Sequence, residues 1–459
     1  MGCVTVAVWA AAFALAPTII GKIFLLIPLA VLGLLWWLSG GADRWMKAFF
    51  LSAILLPPLP FAFGDSGPHI APLFALAGVF VIVILLPGIR LQSHRLLFLF
   101  FLFLSALLQS VISAALYSGP QIALLSFLRI LLFATAPLIF LYTVTRRTRK
   151  TMAGMSFARF LLRLSVVAAL FACADFYFQF PSPAGYSAQF VWLDNAVLRR
   201  AQGLFYEAST LGNFCVFFLI LILVAFSFKR EFRFCSRIEL TLAGVVLATA
   251  LILSYSRASL LNLLCAIAAL LCVSKRVSKR SVAVAIGSAI TLAVLIYFAF
   301  PTFSQSYWVR LQASVFNLPS APEIVLSGRA SSWASLTEFL IHNPWHLLFG
   351  IGYKTLPYSS YIGRAVIADN TYLDLLVETG LLGLCTFLAL NVEMLRSSFR
   401  AARAAGAETR FFGTWFFCFW IGELVQMLSG DLITYWRVLP IFMWVLAIAL
   451  RKREGFEKS

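Results

Sequence analysis

Charge is what this chain has least of: 12% of its 459 residues are Asp, Glu, Lys or Arg, against 62% hydrophobic. A soluble globular protein carries about twice that share of charge, which excludes an ordinary water-facing domain. Also lacking is the period-2 alternation of a membrane β-barrel, and helices and closed barrels alone satisfy the backbone in lipid. The expected fold is therefore all-α, a polytopic helical membrane protein. There is no C-x-x-C spacing, and the eight cysteines fall mostly inside apolar runs. They read as small packing residues rather than as a disulfide framework or a zinc site. No internal repeat and no low-complexity segment stands out.

What is present is a succession of apolar runs, each near the roughly 20 residues that a membrane helix needs. The net charge of +18 is not gathered into a patch with interleaved aromatics, so nucleic acid is not an expected partner. Basic clusters at Arg146–Lys150, Lys229–Arg237, Lys275–Arg280, Arg396–Arg410 and Arg451–Arg453 punctuate the runs instead. The positive-inside rule puts them in the cytoplasm and implies about 12 to 14 spans with both termini inside. MGCVTVAVWAAAFALAP lacks a basic n-region and reads as an uncleaved first span. Val6 breaks the myristoylation pattern. Two regions are expected: N-terminal spans over 1–192 and a functional membrane region over 193–459, with a long external loop over about 301–375.

Arginines on the expected outer face run against the positive-inside bias: Arg199, Arg200, Arg257, Arg310, Arg329, Arg364 and Arg437. In SYSRASLL, Ser256 is a natural N-cap, which puts Arg257 in the first turn of a helix. In LSGRASSWASLTEFLIHNP, a helix starting at Ser327 or Gly328 and stopped by Pro344 puts Arg329 in its first turn as well. A cation there opposes the helix dipole by roughly 0.3–1 kcal/mol. Free N–H groups and guanidinium forks together suit a phosphate-like anion. The alternative for each arginine is snorkelling to headgroups or pairing with a carboxylate.

Two carboxylates stand out. Asp369 opens ADNTYLDLLVETG and could cap the helix that follows, but Thr371 and Asp374 already form a capping box. That leaves Asp369 as a base or an orienting group. Glu207, in GLFYEAST, lies next to two aromatics and reads either as a sugar contact or as a helix cap. His342 and His346 have i,i+4 spacing, but Pro344 separates them, so a shared metal is not expected. D-x-D is absent, which disfavours metal-dependent transfer from a nucleotide sugar. Neither metal nor cofactor is expected.

The order GLFYEASTLG, SYSRASLL, SGR followed by Trp333, LFGIGY and DNTYLDLLVETGLLG resembles the superfamily of bacterial O-antigen ligases and Wzy-type O-antigen or exopolysaccharide polymerases, over about residues 200–384. The resemblance implies a metal-independent, inverting, class C glycosyltransferase-like enzyme. It would act on undecaprenyl-pyrophosphate-linked glycans at the periplasmic face of the inner membrane. Membrane lipids, and a chain-length regulator as a further candidate, would be its partners. It makes Arg257 and Arg329 the holders of the pyrophosphate leaving group, with Asp369 completing the catalytic set and Arg200, Glu207, Tyr353 and Asn370 the substrate-binding set. The ligases carry His-Asn where this chain has Asp369-Asn370, which favours a polymerase over a ligase. A transporter of lipid-linked glycan is the rival of another class, and a nearly charge-free interior of the spans speaks against it.

Overall fold

The computed structural model describes residues 44–59, 67–85, 95–145, 153–182, 189–193, 196–228, 234–273, 329–358, 360–363 and 366–451, with single positions between 305 and 316. The expected first span, the basic clusters at 146–150 and 275–280, most of the loop before Arg329, and Arg310 and Arg364 lie outside the described residues.

Helices α1 (Arg44–Leu55), α2 (Ala71–Leu85), α3 (Arg95–Ser118), α4 (Pro120–Thr145) and α5 (Ala153–Phe178) lead to a hairpin of β1 (Phe190–Leu193) and β2 (Ala196–Arg199). Then follow α6 (Ala208–Ser227), α7 (Arg237–Leu253), α8 (Arg257–Val273), α9 (Arg329–His342), α10 (His346–Phe349), α11 (Thr371–Ala402), α12 (Ala407–Gln426) and α13 (Leu439–Leu450). Among the described residues, five helices are long and apolar enough to cross a membrane: α3, α4, α5, α6 and α11. The chain is a polytopic helical membrane protein. Beside the helices, the described residues hold one short hairpin, which pairs Phe190 with Arg199 and Leu193 with Ala196.

Helix α6 is apolar on every side, and its sequence ASTLGNFCVFFLILILVAFS is buried along almost all its length. A helix of this pattern belongs inside a bundle rather than at its rim. Phe217 shows the packing, with ring centroids 4.5 Å from Trp415 on α12 and 4.4 Å from Phe442 on α13. Around it α8 packs on α12, α11 on α3 and α12, and α13 on α4.

One joint shapes the external side. Gly380, inside α11, has φ +70° and ψ −170°, so the helical ladder breaks there. The carbonyls of Val377 and Glu378 accept instead from Ile351 N–H at 3.0 Å and Gly352 N–H at 2.8 Å. A Cβ on Gly380 would lie 2.2 Å from the Leu348 carbonyl oxygen, and one on Gly350 (φ +68°) 2.3 Å from the Glu378 carbonyl. LFGIGY and ETG are thus two halves of one backbone contact, possible because neither side has a side chain there. Leu336 and Leu340 of α9, Ile351, Leu356, Val366, Ala368 and Val377 make a small second core over it.

Candidate functional site

Arg257 and Arg329 are each the first residue of a helix, α8 and α9, as the sequence predicts. Pro344 separates α9, which ends at His342, from α10. Arg329 donates from Nε and Nη2 to the same oxygen, Oδ2 of Asp369, at 3.1 and 2.9 Å. The pair is partly open, with the two side chains 25% and 43% exposed. Asp369 sits at φ +48°, a left-handed conformation that aspartate tolerates better than most residues. The Trp333 indole fixes the geometry by donating to the Ala368 carbonyl at 2.7 Å, which explains why a tryptophan follows SGR by one helical turn.

Asp369 does not cap α11, but the capping box is not the reason. The cap is Asn370, whose Oδ1 accepts from Tyr372 N–H and Leu373 N–H at 3.1 and 3.2 Å. Thr371 is already helical, and its hydroxyl donates to the Gly430 carbonyl at 2.7 Å. An oxygen that accepts from two N–H groups of the first turn is an N-cap, so the Oδ1 of Asn370 is committed to starting the helix.

The two arginines stand at the same end of the bundle. The start of α11 is tied to the end of α12 by Thr371 N–H to the Met427 carbonyl at 2.9 Å. The end of α12 is tied to the start of α8 by Gln426 Nε2 to Ser259 Oγ at 3.2 Å. Ser259 in turn lies 2.8 Å from Ser256, the residue before Arg257. Arg200 braces the turn from outside, donating from Nε to the Ser254 carbonyl at 2.7 Å and from Nη1 to Gln189 at 2.6 Å.

Glu207 occupies the N-cap position of α6 but makes no side-chain cap bond. Its Oε1 accepts from the Tyr435 hydroxyl at 2.7 Å, and that hydroxyl is also 3.1 Å from Ser209 Oγ. Burial pushes the Glu207 carboxyl above its usual value, the bonds from Ser209 and Tyr435 pull it back, and nearby Asp369 and Asp431 push it up again. The net displacement is upward.

Some expected site residues are turned inward. Tyr353 is 1% exposed, with its N–H donating to Ser110 on α3 at 3.2 Å. Arg199 is ion-paired with Asp175 at 2.6 Å. Arg437 donates to the carbonyls of Ala53, Leu56 and Leu204 and lies over the Phe205 ring. Both were expected to face outward. A guanidinium can be buried when its donors find acceptors; three carbonyls serve Arg437, and Asp175 and the Phe180 carbonyl serve Arg199, whose Nε is left without one among the described residues. His346 is buried between Phe339 and Tyr117, whereas His342 is exposed and bonded to the Glu338 carbonyl. Among the described residues, no group of three or more His, Cys, Asp or Glu is placed to hold a metal.

Sequence reasoning passed over two buried networks. Lys354 pairs with Asp431 and lies 3.8 Å from Glu378. Burial works against its charge, but Asp431 and then Glu378 outweigh it and hold the ammonium well above the usual lysine value. The second network joins three helices: Asn213 of α6 and Asn262 of α8 both donate to Glu423 of α12, Asn262 at 3.0 Å. Gln426 accepts from the same two amides at 3.2 and 2.9 Å. The signal was an amide or carboxyl side chain inside each of three apolar runs: Asn213, Asn262, and Glu423 with Gln426. The spans are accordingly not as charge-free as expected: Glu378, Glu393 and Glu423 are buried along α11 and α12.

No curated protein matches the chain. The family model described as O-Antigen ligase matches residues 242–388, which include Arg257, Arg329, Tyr353, Asp369 and Asn370 but not Arg200 and Glu207. Residues 242–388 are thus similar to the O-antigen ligase family model, consistent with the superfamily of O-antigen ligases and polymerases that the motifs resemble.

Proposed function

We propose that the chain is a polymerase of lipid-linked polysaccharide repeat units. It transfers a growing glycan from undecaprenyl pyrophosphate to a sugar hydroxyl of an incoming lipid-linked unit, at the outer face of the inner membrane. The observation that carries this reading is the Arg329–Asp369 pair, half-open at the end of the bundle that also holds Arg257. As the glycosidic carbon is attacked, the carrier pyrophosphate departs with growing negative charge, and fixed guanidinium groups favour that state over the ground state. Two first-turn arginines with helix N–H groups behind them suit such a leaving group. The reaction is metal-independent and inverting in this reading, with Asp369 as orienting group for Arg329.

A ligase that passes the finished glycan to lipid A-core or to a protein is the second reading, favoured by the description of the matching family. Asp369, where the ligases have histidine, favours the polymerase. The test gives purified protein a short lipid-linked repeat unit, alone and then with lipid A-core, and separates the products on a gel. A ladder from the repeat unit alone supports the polymerase. A single shifted band that needs lipid A-core supports the ligase, and neither product would overturn both.

A further inference from the structure

Asp369 already has a task. Its Oδ2 takes two donors of Arg329, so swinging the carboxylate onto a substrate hydroxyl would disturb the arginine that it orients. The acceptor hydroxyl has to lose a proton when the new glycosidic bond forms. A second carboxylate at this end of the bundle is bonded by a tyrosine hydroxyl rather than by a guanidinium, and is the candidate to take it.

We propose that Glu207 is the general base of the transfer, an inference that rests on the polymerase reading above. Glu207 stands at the head of α6 with its side chain turned away from the helix end that it could cap. Among the described residues its bonds come from neutral hydroxyls, Tyr435 at 2.7 Å being the one that fixes its direction. That hydroxyl also reaches Ser209, and the Ser209 carbonyl accepts from Ser259 at 3.5 Å, in the first turn of the helix that Arg257 opens. On the other side Glu207 feels Asp369. It therefore lies beside the helix that Arg257 opens, within electrostatic reach of the carboxylate that orients Arg329, and next to the 44%-exposed ring of Tyr206.

The titratable groups that face it are Tyr435 from the turn before α13, Asp369 from the segment before α11 and Asp431 from the turn after α12, with Ser209 of its own helix completing the shell. Asp431 is held by Lys354. Burial and the two aspartates raise the affinity of Glu207 for a proton, which makes it a stronger base than an exposed carboxylate. In the step, the acceptor O–H bond breaks, its proton goes to a Glu207 oxygen and the hydroxyl oxygen bonds to the anomeric carbon. The carbon–oxygen bond to the pyrophosphate breaks, and the electron pair leaves with the pyrophosphate, which the arginines hold. Glu207 then returns its proton to water.

The test is single-turnover and steady-state polymerisation of the lipid-linked repeat unit by full-length protein, as a function of pH, for the native chain, Glu207→Gln, Glu207→Asp and Tyr435→Phe. Glu207→Gln keeps an oxygen for Tyr435 and cannot accept a proton. It should lower kcat by about 10²-fold or more, leave the KM for the lipid-linked donor near its native value, and remove the acid limb of the pH profile. Glu207→Asp should retain that limb at reduced kcat. Tyr435→Phe removes a bond that favours the ionised carboxylate, so the acid limb should move to higher pH. A Glu207→Gln protein with native kcat, or one changed in KM alone, overturns the assignment. So does an unmoved acid limb in Tyr435→Phe. If the native chain makes no ladder, the polymerase reading has failed. If it makes a ladder that Glu207→Gln also makes at full rate, only the base assignment has failed. A product formed only with lipid A-core moves the same four-protein comparison to that product.

Discussion

Arg329 places two of its nitrogens on one oxygen of Asp369, at 3.1 and 2.9 Å, so the guanidinium plane is set by a carboxylate 40 residues further along the chain. An arginine at a helix start is disfavoured by the dipole, and this fork compensates for it while leaving the remaining donors for a ligand.

That arrangement predicts non-additive substitutions. Arg329→Ala and Asp369→Ala should each lower kcat/KM by about 10²–10³-fold, the range for removing a preorganised donor. The double variant should be little worse than Arg329→Ala, because Asp369 acts through Arg329. Arg329→Lys should not restore activity, since an ammonium cannot form the fork. A double-mutant cycle on initial rates checks this, and full additivity would count against it.

Arg257 opens α8 behind a serine turn that Arg200, Ser254 and Ser259 hold in place. Arg257→Gln should bind a pyrophosphate-linked lipid about tenfold or more weakly, one charge-assisted pair being worth about 1.5–3 kcal/mol. Fluorescence titration with the lipid carrier measures this. Unchanged affinity would remove Arg257 from the site.

The joint at Gly380 should tolerate no side chain. Gly380→Ala puts a Cβ 2.2 Å from the Leu348 carbonyl oxygen on a backbone with φ +70°. Strain of this kind costs on the order of 1–3 kcal/mol before any clash is counted. Thermal unfolding in detergent should show a clear fall in midpoint, whereas Gly406→Ala, with nothing nearer than 3.6 Å to its added carbon, should be close to neutral.

Glu423 accepts from amides on two other helices. Glu423→Leu would take one acceptor from each of Asn213 and Asn262, which keep Gln426, at up to about 1–3 kcal/mol for each N–H left unsatisfied. Replacing all three with apolar residues of similar size should recover much of the loss. Denaturant unfolding of the single and triple variants decides it, and equal instability in both would show that the polar groups do more than satisfy each other.

His69 gives a pH dependence of stability. Burial, with the nearby Arg437 charge, lowers it from 6.5 to about 4, against a bond to the Leu56 carbonyl that raises it. A histidine with a depressed folded value binds fewer protons than the unfolded chain, so its contribution is fully present above about pH 6.5 and is lost as pH falls towards 4. The unfolding midpoint should drop between pH 7 and pH 4.5, and His69→Gln, which can still accept from Ala71 N–H, should flatten that drop.

The apolar runs, the helix starts at Arg257 and Arg329 and the stop at Pro344 were all legible in the sequence, because spacing, capping residues and proline act within a few residues of themselves. Scarcity of charge by itself made this a polytopic helical membrane protein, since nothing else buries so apolar a chain. Only the tertiary structure decided what each polar residue does. Arg199 and Arg437 look like Arg329 in the sequence, yet packing sends the first two to buried carbonyls and carboxylates and leaves the third half-open. Asn370 took the capping role read for Thr371, because Thr371 found an acceptor in the turn after α12. Glu207, Tyr435, Glu423 and Lys354 acquire their settings from partners up to 228 residues away. Hydrogen bonds of that span depend on which helix ends meet, which no local pattern in the chain records.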